Sequence, residues 1–295
     1  MSTPTFSSSA PIGVFDSGIG GLSVLRALRR ELPHERFIYL ADSGHAPYGE
    51  KGDAFVIVRS LAIARHLREH HAIKALVIAC NTATAAAIEP LRAALPELPM
   101  VGVEPALKPA ALTSQTHHVG VLATRGTTLS SRFTQLMARQ PAHTRFSVQA
   151  CDGLAHAIEQ STEEPLPAAQ STAKIEALCA RYINAMGLFG TENGAIDTLV
   201  LGCTHYVFAQ AQLQALIGPR VRIIETGAAV ARQTRRILEV QALHTDANTL
   251  AAPLTLYTTG ALGALEAAAE RWLDLPARDC AAIALPGAAA SLQCK

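Results

Sequence analysis

Two cysteines stand at matching places in the chain, each at the end of a short apolar run. Cys80 closes the segment ALVIAC and is followed by Asn-Thr, whereas Cys203 closes TLVLGC and is followed by Thr-His. A thiol at the start of a helix has its thiolate form favoured by the helix dipole and the free N–H groups. Asn and Thr are good helix-cap residues, and the N–H groups there can hold a carboxylate. The sequence therefore offers two candidate bases beside candidate carboxylate sites.

Two opposed thiols suit one kind of reaction in particular. A thiolate on one face of a carbon can remove a proton while a thiol on the other face returns one, so the product is the mirror image. A lone buried cysteine is more often a plain core residue. Two cysteines at equivalent positions, both followed by polar residues, instead indicate a functional pair that racemises a small carboxylate.

The positions are equivalent because the chain repeats itself. Four segments of the first half match four of the second in the same order: IGVFDSG with VGVLATR, RFIYLADSG with RFSVQACDG, ALVIACNTATA with TLVLGCTHYVF, and VE with IE. In the third match Cys80 falls on Cys203. The repeat predicts two similar halves whose thiols face each other.

Eight short apolar runs alternate with helical patterns along the chain. Such runs are typical of parallel strands buried on both faces. The βα alternation predicts an α/β fold of two pseudo-symmetric, doubly wound domains with mainly parallel sheets. Ligands of such sheets bind beyond the carboxyl ends of the strands, which places the active site in the cleft between the domains.

The predicted domain limits follow the repeat. Residues 1–106 and 222–295 are expected to form the first, discontinuous domain, and residues 107–221 the second. Residues 1–10 are polar and are expected to be a disordered leader.

Composition narrows the function further. The chain has 295 residues, 49% hydrophobic and 5% aromatic, with a formal net charge of +1. This balance offers no basic field for nucleic acid. No apolar run is long enough for a membrane span, and the polar start does not resemble a secretory signal. We therefore expect a cytoplasmic protein with reduced cysteines.

Four motifs resemble those of the glutamate racemase family, cofactor-independent enzymes of the aspartate/glutamate racemase superfamily. They are VFDSGIGGLSVL, ADSGHAPYGEK, VIACNTATA and LGCTHY. The resemblance implies interconversion of L- and D-glutamate without a cofactor or metal, with D-glutamate supplied to peptidoglycan. It also raises the prospect of activation by a cell-wall precursor. A homodimer is the expected assembly.

The resemblance implies a role for particular residues. Cys80 and Cys203 would be the catalytic acid/bases, one for each enantiomer. Asp16 would assist the first thiol and His205 the second, with Glu159 supporting the histidine. The residues implied in substrate binding, partly through backbone N–H groups, are Asp16, Ser17, Tyr48, Gly49, Asn81, Thr82, Thr124, Thr204 and His205.

Two details depart from simple patterns. The family usually continues GCTHY with Pro-Leu, whereas this chain has Val207 and Phe208. The segment GIGG at Gly18–Gly21 fails the dinucleotide-binding pattern GxGxxG, because its third glycine would fall on Ser23. We instead expect a tight turn that brings N–H groups to a small carboxylate.

Three other functions remain open at this point. An aspartate or hydantoin racemase of the same superfamily would share the motifs, and a substrate panel separates these. A Cys–His hydrolase would use Cys203 as nucleophile and His205 as base, but it leaves Cys80 unexplained. A non-catalytic binding protein would bind ligand without exchanging its α-proton.

Overall fold

The computed structural model describes residues 6–163, 168–245, 254–275 and 279–285. Within these ranges ten strands form two sheets in which every strand pair is parallel. The predicted α/β class with parallel sheets is therefore confirmed. None of the helices in the described ranges is both long and apolar enough to span a lipid bilayer.

The first sheet has six strands in the order β10-β9-β2-β1-β3-β4. In chain order these are β1 Ile12–Asp16, β2 Phe37–Ala41, β3 Ala75–Ile78, β4 Met100–Gly102, β9 Leu254–Thr258 and β10 Cys280–Ala282. Their helices are α1 Leu22–Glu31, α2 Asp53–His71, α3 Asn81–Ala94, α10 Gly227–Val240 and α11 Leu262–Leu273.

Both faces of this sheet are covered, because alternate strand residues enter different cores. Val14 packs in a core with residues of α1, α10 and α11. Its neighbour Phe15 packs on the other face with residues of α2 and α3. A strand buried on both faces is apolar at every position, which explains the unbroken apolar run.

The second sheet has four strands in the order β6-β5-β7-β8. They are β5 His118–Ala123, β6 Arg145–Ala150, β7 Thr198–Gly202 and β8 Arg222–Ile224. Its helices are α4 Leu107–Thr113, α5 Arg125–Leu129, α6 Ser131–Ala138, α7 Leu154–Gln160, α8 Ala168–Met186 and α9 Gln210–Ile217. One face packs against α7, α8 and α9 and the other against α4 and α6.

The strand orders bear out the internal repeat. The segment β2-β1-β3-β4 of the first sheet and β6-β5-β7-β8 of the second have the same arrangement. Three of the sequence matches fall on equivalent pairs of strands, and the fourth lies at the carboxyl ends of β4 and β8. Cys80 follows β3 and Cys203 follows β7, so each thiol lies beyond the carboxyl end of an equivalent inner strand.

The predicted domain boundary at residue 222 needs one correction. Strand β8 pairs with β7 in register Thr198 with Arg222, so it closes the second sheet. The chain returns to the first half only at α10, which packs on α1. Otherwise the division into 1–106 with 222–295 and 107–221 stays a prediction.

The prediction of a disordered leader is wrong for residues 6–10. Phe6 packs against both cores of the first sheet, and the Arg68 guanidinium lies 4.9 Å from its ring centroid. The carbonyl of Ser8 accepts hydrogen bonds from the Lys74 ammonium and from Thr245. An aromatic ring and a buried ammonium anchor this stretch, while residues 1–5 lie outside the described ranges.

Candidate active site

The two cysteines occupy equivalent positions at the ends of two strands. Cys80 is the N-cap of α3, and Cys203 precedes a 3-10 turn at Thr204–Ala209. The side chains are 5% and 6% exposed, respectively. Both thiols are therefore shielded from solvent, where charge on sulfur is strongly influenced by its immediate neighbours.

Cys80 lies within a short hydrogen-bonded chain that leads to Asp16. Its thiol is 3.6 Å from Ser17 Oγ, and that hydroxyl donates to Asp16 Oδ1 at 3.3 Å. The N–H of Ala83 points at Cys80 Sγ from 3.4 Å. The sulfur therefore has one helix N–H donor that would favour a thiolate.

Burial and the charges around Cys80 favour its protonated form. Burial raises the pKa of the Cys80 thiol well above its usual range, and the carboxylate of Asp16 raises it further. The negative charge of Cys203 acts in the same direction, so the two thiols are close enough to influence each other. Burial also raises the pKa of Asp16, although the positive charge of His205 opposes that shift.

Cys203 has a different partner. Its Sγ lies 3.8 Å from His205 Nδ1, and the other ring nitrogen, Nε2, lies 2.7 Å from Glu159 Oε2. All three side chains are buried. The imidazole thus lies between a thiol and a carboxylate, as in sites that activate a sulfur nucleophile or base.

The ion pair fixes the charge of this group. Burial alone would lower the pKa of His205, but its hydrogen bonds to Cys203 and Glu159 outweigh this and raise that pKa well above 6.5. Burial alone would raise the pKa of Glu159, but His205 holds it below 4.5. The result is an imidazolium beside Cys203 Sγ, which stabilises negative charge on that sulfur.

Glu159 also joins the two halves of the molecule. Its carboxylate, on α7 of the second half, accepts the Ile19 N–H at 3.0 Å and the Ser43 hydroxyl at 2.6 Å from the first half. Thr204 adds a second link, because its Oγ1 lies 3.5 Å from Asp16 Oδ2. The cleft is therefore held together by carboxylates that bridge the sheets.

The glycine-rich turn after β1 does bring N–H groups to carboxylates, but these belong to the protein. The Ile19 N–H donates to Glu159, and the Gly21 N–H donates to Asp16 Oδ2 at 2.5 Å. A Cβ at Gly18 would overlap the Glu159 carboxylate, and one at Gly20 would overlap the His205 ring. The glycines let two side chains approach the backbone closely, and binding of the substrate carboxylate by this turn stays a prediction.

The side chain of Asn81 is buried without a hydrogen-bond partner among the described residues. It follows Cys80 at the first position of α3, and it is only 4% exposed. Neither amide atom of its side chain has a hydrogen-bond partner among the described residues. Buried amides are almost always paired, so this one is suited to a ligand.

Two threonines meet across the cleft. Thr82 Oγ1 on α3 lies 2.9 Å from Thr124 Oγ1, which belongs to the residue capping α5. Gly49 lies against Thr124, because a Cβ there would be 2.6 Å from Thr124 Cβ. The structure therefore brings these three predicted residues together at the border between the halves.

The Tyr48 hydroxyl is hydrogen-bonded to another residue of the protein. That hydroxyl donates to Asp42 Oδ2 at 2.5 Å, and the Tyr48 ring is fully buried. The Arg59 guanidinium and the Thr259 hydroxyl also bind Asp42. Tyr48 thus fixes the wall of the cleft, leaving backbone groups at this position for a ligand.

Sequence reasoning did not single out three of the supporting residues. Asp42 anchors Tyr48, Ser43 donates to Glu159, and Tyr39 donates to the Gly18 carbonyl at 2.6 Å. Asp42 and Ser43 lie in the ADSG motif, so the motif held the signal. Tyr39 has no distinguishing sequence pattern within β2. Only the fold shows that its hydroxyl supports the glycine turn.

The site carries acid/base groups. In the ranges that the structure describes, no group of three or more His, Cys, Asp or Glu side chains is arranged to hold a metal ion. The side chains of the site include groups that can accept and donate protons.

These features define an α/β protein of two similar halves, with one thiol beyond the carboxyl end of a strand in each sheet. The family model described as Asp/Glu/Hydantoin racemase matches residues 12–234. The chain belongs to this family, and it is therefore an isomerase of the amino-acid racemase type.

Curated relatives extend the match. The chain is 49% identical over 231 residues to a glutamate racemase of Ectopseudomonas mendocina, covering 78% of this chain and 83% of the relative. It is 47% identical over 235 residues to a glutamate racemase of Pseudomonas aeruginosa, covering 80% of this chain and 84% of the relative.

Solved structures share the fold over nearly the whole chain. A glutamate racemase isoform of Bacillus anthracis matches with a TM-score of 0.79 at 30% identity, covering 95% of this chain and 99% of that one. An Escherichia coli glutamate racemase, solved with L-glutamate and the activator UDP-MurNAc-Ala, matches with a TM-score of 0.78 at 30% identity, covering 94% and 100%.

Proposed function

We propose that the protein interconverts L- and D-glutamate, with Cys80 and Cys203 as acid/bases on opposite faces of the α-carbon. The observation that carries the proposal is the equivalent placement of two buried thiols at the carboxyl ends of β3 and β7. Each has its own polar partner, and their charges influence each other. The similarity to curated glutamate racemases supports the choice of substrate.

The two thiols have different charged neighbours. The His205 imidazolium lies beside Cys203, whereas burial and the Asp16 carboxylate raise the pKa of Cys80 and keep it a thiol. Cys203 can therefore remove the α-proton of one enantiomer while Cys80 donates a proton to the opposite face. The reverse reaction starts with the proton on Cys203.

The substrate would be held by groups around the two thiols. Backbone N–H groups at Asn81 and Thr82, in the first turn of α3, and at Thr204, at the start of the 3-10 turn, would bind its α-carboxylate. These donors would stabilise the charge that develops on that carboxylate as the α-proton leaves. The unpaired Asn81 amide supplies a further hydrogen bond.

The first test follows L-glutamate by circular dichroism in deuterated buffer, using protein freed of pyridoxal phosphate and metal. We expect optical activity to decay to zero with deuterium appearing at the α-carbon. No decay and no exchange from either enantiomer, with UDP-MurNAc-Ala also added, would exclude glutamate. Aspartate and hydantoins are the next substrates to try.

The roles of the thiols are tested by Cys80→Ser and Cys203→Ser. Each variant should lose racemisation, by about 10²-fold or more as expected when a general base is lost. Cys179→Ser is the matched control, because Cys179 is a buried thiol on α8 outside the cleft. If either active-site variant racemises at the rate of the control, the two-thiol mechanism fails.

The wider biological setting belongs to the same proposal. D-glutamate would supply peptidoglycan synthesis in the cytoplasm, and a UDP-linked muramyl precursor would act as activator, as in the name of the Escherichia coli complex. Titration with UDP-MurNAc-Ala tests activation. A homodimer is proposed for the assembly, and light scattering at working concentration tests it.

A further inference from the structure

A face-to-face aromatic stack links the active-site turn to the far end of the chain. The rings of Phe208 and Trp272 have centroids 3.8 Å apart and planes 8° apart. Phe208 belongs to the 3-10 turn Thr204–Ala209, and Trp272 belongs to α11. Contact between two aromatic rings contributes more than the apolar area that it buries.

The stack joins the hydrophobic cores of the two halves. Phe208 and Trp272 each pack against the core that contains α1, α10 and α11, and each also packs against the core of β7 and α7 to α9. Helix α11 covers the first sheet, whereas the 3-10 turn continues from the second. The two rings therefore fix where the turn lies relative to the first half.

His205 is three positions before Phe208 in the same turn. In a 3-10 helix the side chains at i and i+3 eclipse each other, so a shift of one is passed to the other. The ring of His205 has little freedom, since it is hydrogen-bonded to Cys203 and Glu159 and lies against Gly20. A small displacement of the turn would lengthen both hydrogen bonds.

We propose that Phe208, held by Trp272, is a positioning residue that sets the distance from His205 to Cys203. The inference rests on the proposed two-thiol racemisation. Phe208 stands where the family motif continues with leucine, and leucine cannot stack. The stack is thus a way in which this chain supports its catalytic histidine from the opposite half.

Trp272 makes the proposal directly observable, because it is the only tryptophan in the chain. Its fluorescence reports the stack without reference to catalysis. Phe208→Leu keeps an apolar side chain but removes the stack, whereas Phe208→Tyr keeps an aromatic ring. Val221→Ala is the stability control, because Val221 is buried in the core of the second half but makes no part of the stack.

We expect Phe208→Leu to change Trp272 emission and to lower kcat about tenfold, as for a small misplacement of a catalytic group, with KM changed much less. The loss should be larger when Cys203 removes the proton. The groups that face His205 are Cys203, Glu159 and Asp16. Weaker bonds to the first two lower the pKa of His205, so the alkaline limb of the kcat profile should move to lower pH. Phe208→Tyr should restore emission, kcat and the pH profile.

The proposal is overturned if Phe208→Leu changes the emission but retains wild-type kcat and pH profile in both directions. It is also overturned if Val221→Ala, matched for thermal stability, shows the same kcat and pH change. Failure of the proposed function looks different, since the wild type would then not racemise glutamate at all while the emission change on Phe208→Leu remained.

Discussion

Glu159 and His205 form a buried ion pair, with 2.7 Å between Oε2 and Nε2, and the same carboxylate binds the first half of the molecule. The ion pair therefore has two structural roles. It orients the imidazole towards Cys203, and it holds the turn after β1 against α7. Removing one partner of such a pair leaves a buried charge without compensation.

Glu159→Gln should reduce kcat by about 10²-fold, as expected for a disturbed general acid/base group. The amide keeps the shape of the side chain but removes the negative charge that favours the imidazolium. Initial rates from L- and D-glutamate measure the effect, with the larger loss when Cys203 removes the proton. Ser43→Ala is the control, because it removes one donor to Glu159 and keeps the charge; its loss should be much smaller. Equal rates for Glu159→Gln and wild type would contradict the role.

The same pair predicts how stability depends on pH. The raised pKa of His205 stabilises the folded state. This stabilisation is fully present below pH 6.5 and is lost as the pH rises through the folded-state pKa of His205. The lowered pKa of Glu159 also stabilises the folded state. This stabilisation is fully present above pH 4.5 and is lost as the pH falls through the folded-state pKa of Glu159. Both contributions are present between 4.5 and 6.5, so the Tm advantage of wild type over Glu159→Gln should be greatest there.

Thermal unfolding across this range measures the difference, and an exposed pair supplies the comparison. Arg92 and Glu89 lie 3.1 Å apart on the surface of α3, where an ion pair contributes little. Arg92→Gln should leave the pH dependence of Tm as in wild type. A Tm difference between wild type and Glu159→Gln that does not vary with pH would show that the pair is not ionised as described.

Asn81→Ala should weaken substrate binding and leave the fold intact. The side-chain amide has no partner among the described residues, so its removal takes no hydrogen bond from the protein. A lost hydrogen bond to a charged ligand should raise KM about tenfold or more. Ser60→Ala is the matched control, since Ser60 Oγ is also buried and unpaired but lies on α2. A KM unchanged in Asn81→Ala, as in the control, would remove Asn81 from the binding site.

Gly20→Ala should damage catalysis through His205. A Cβ at this position overlaps the imidazole ring, so the ring must move away from Cys203. We expect kcat to fall about 10²-fold, the effect of misplacing a catalytic group by roughly 1 Å. Gly263→Ala on α11 has open space around the new Cβ and should be neutral or stabilise by about 0.5–1 kcal/mol. Normal kcat in Gly20→Ala would show that the ring has room to spare.

Much of the architecture could be predicted from sequence because it follows from local pattern. The eight predicted apolar runs became β1 to β8, and the internal matches anticipated the shared strand order of the two sheets. The strands β9 and β10 were not predicted. Both are only partly buried: threonines interrupt the apolar residues of β9, and β10, at the edge of the first sheet, has only three residues.

Sequence patterns do not reveal contacts between residues that are distant in the chain. Nothing local shows that Phe6 packs on two cores, or that Arg222–Ile224 pairs with β7. The glycine turn has the right chemistry for a carboxylate, but only the fold decides that the carboxylates are Asp16 and Glu159. Each of these contacts depends on which helices, strands and turns pack together, and the spacing of residues in the sequence does not specify this packing.

The sequence by itself determined the α/β class, the repeat, the family resemblance and the two cysteines at equivalent strand ends, because these depend on residue type and order. Only the tertiary structure decided how the site is charged. Burial raises the pKa of Cys80, with Asp16 and Cys203 adding to it, while burial lowers the pKa of His205 and hydrogen bonds to Cys203 and Glu159 outweigh that effect. These effects depend on burial and on distances of a few ångströms between residues far apart in the chain, which are set when the two halves pack together.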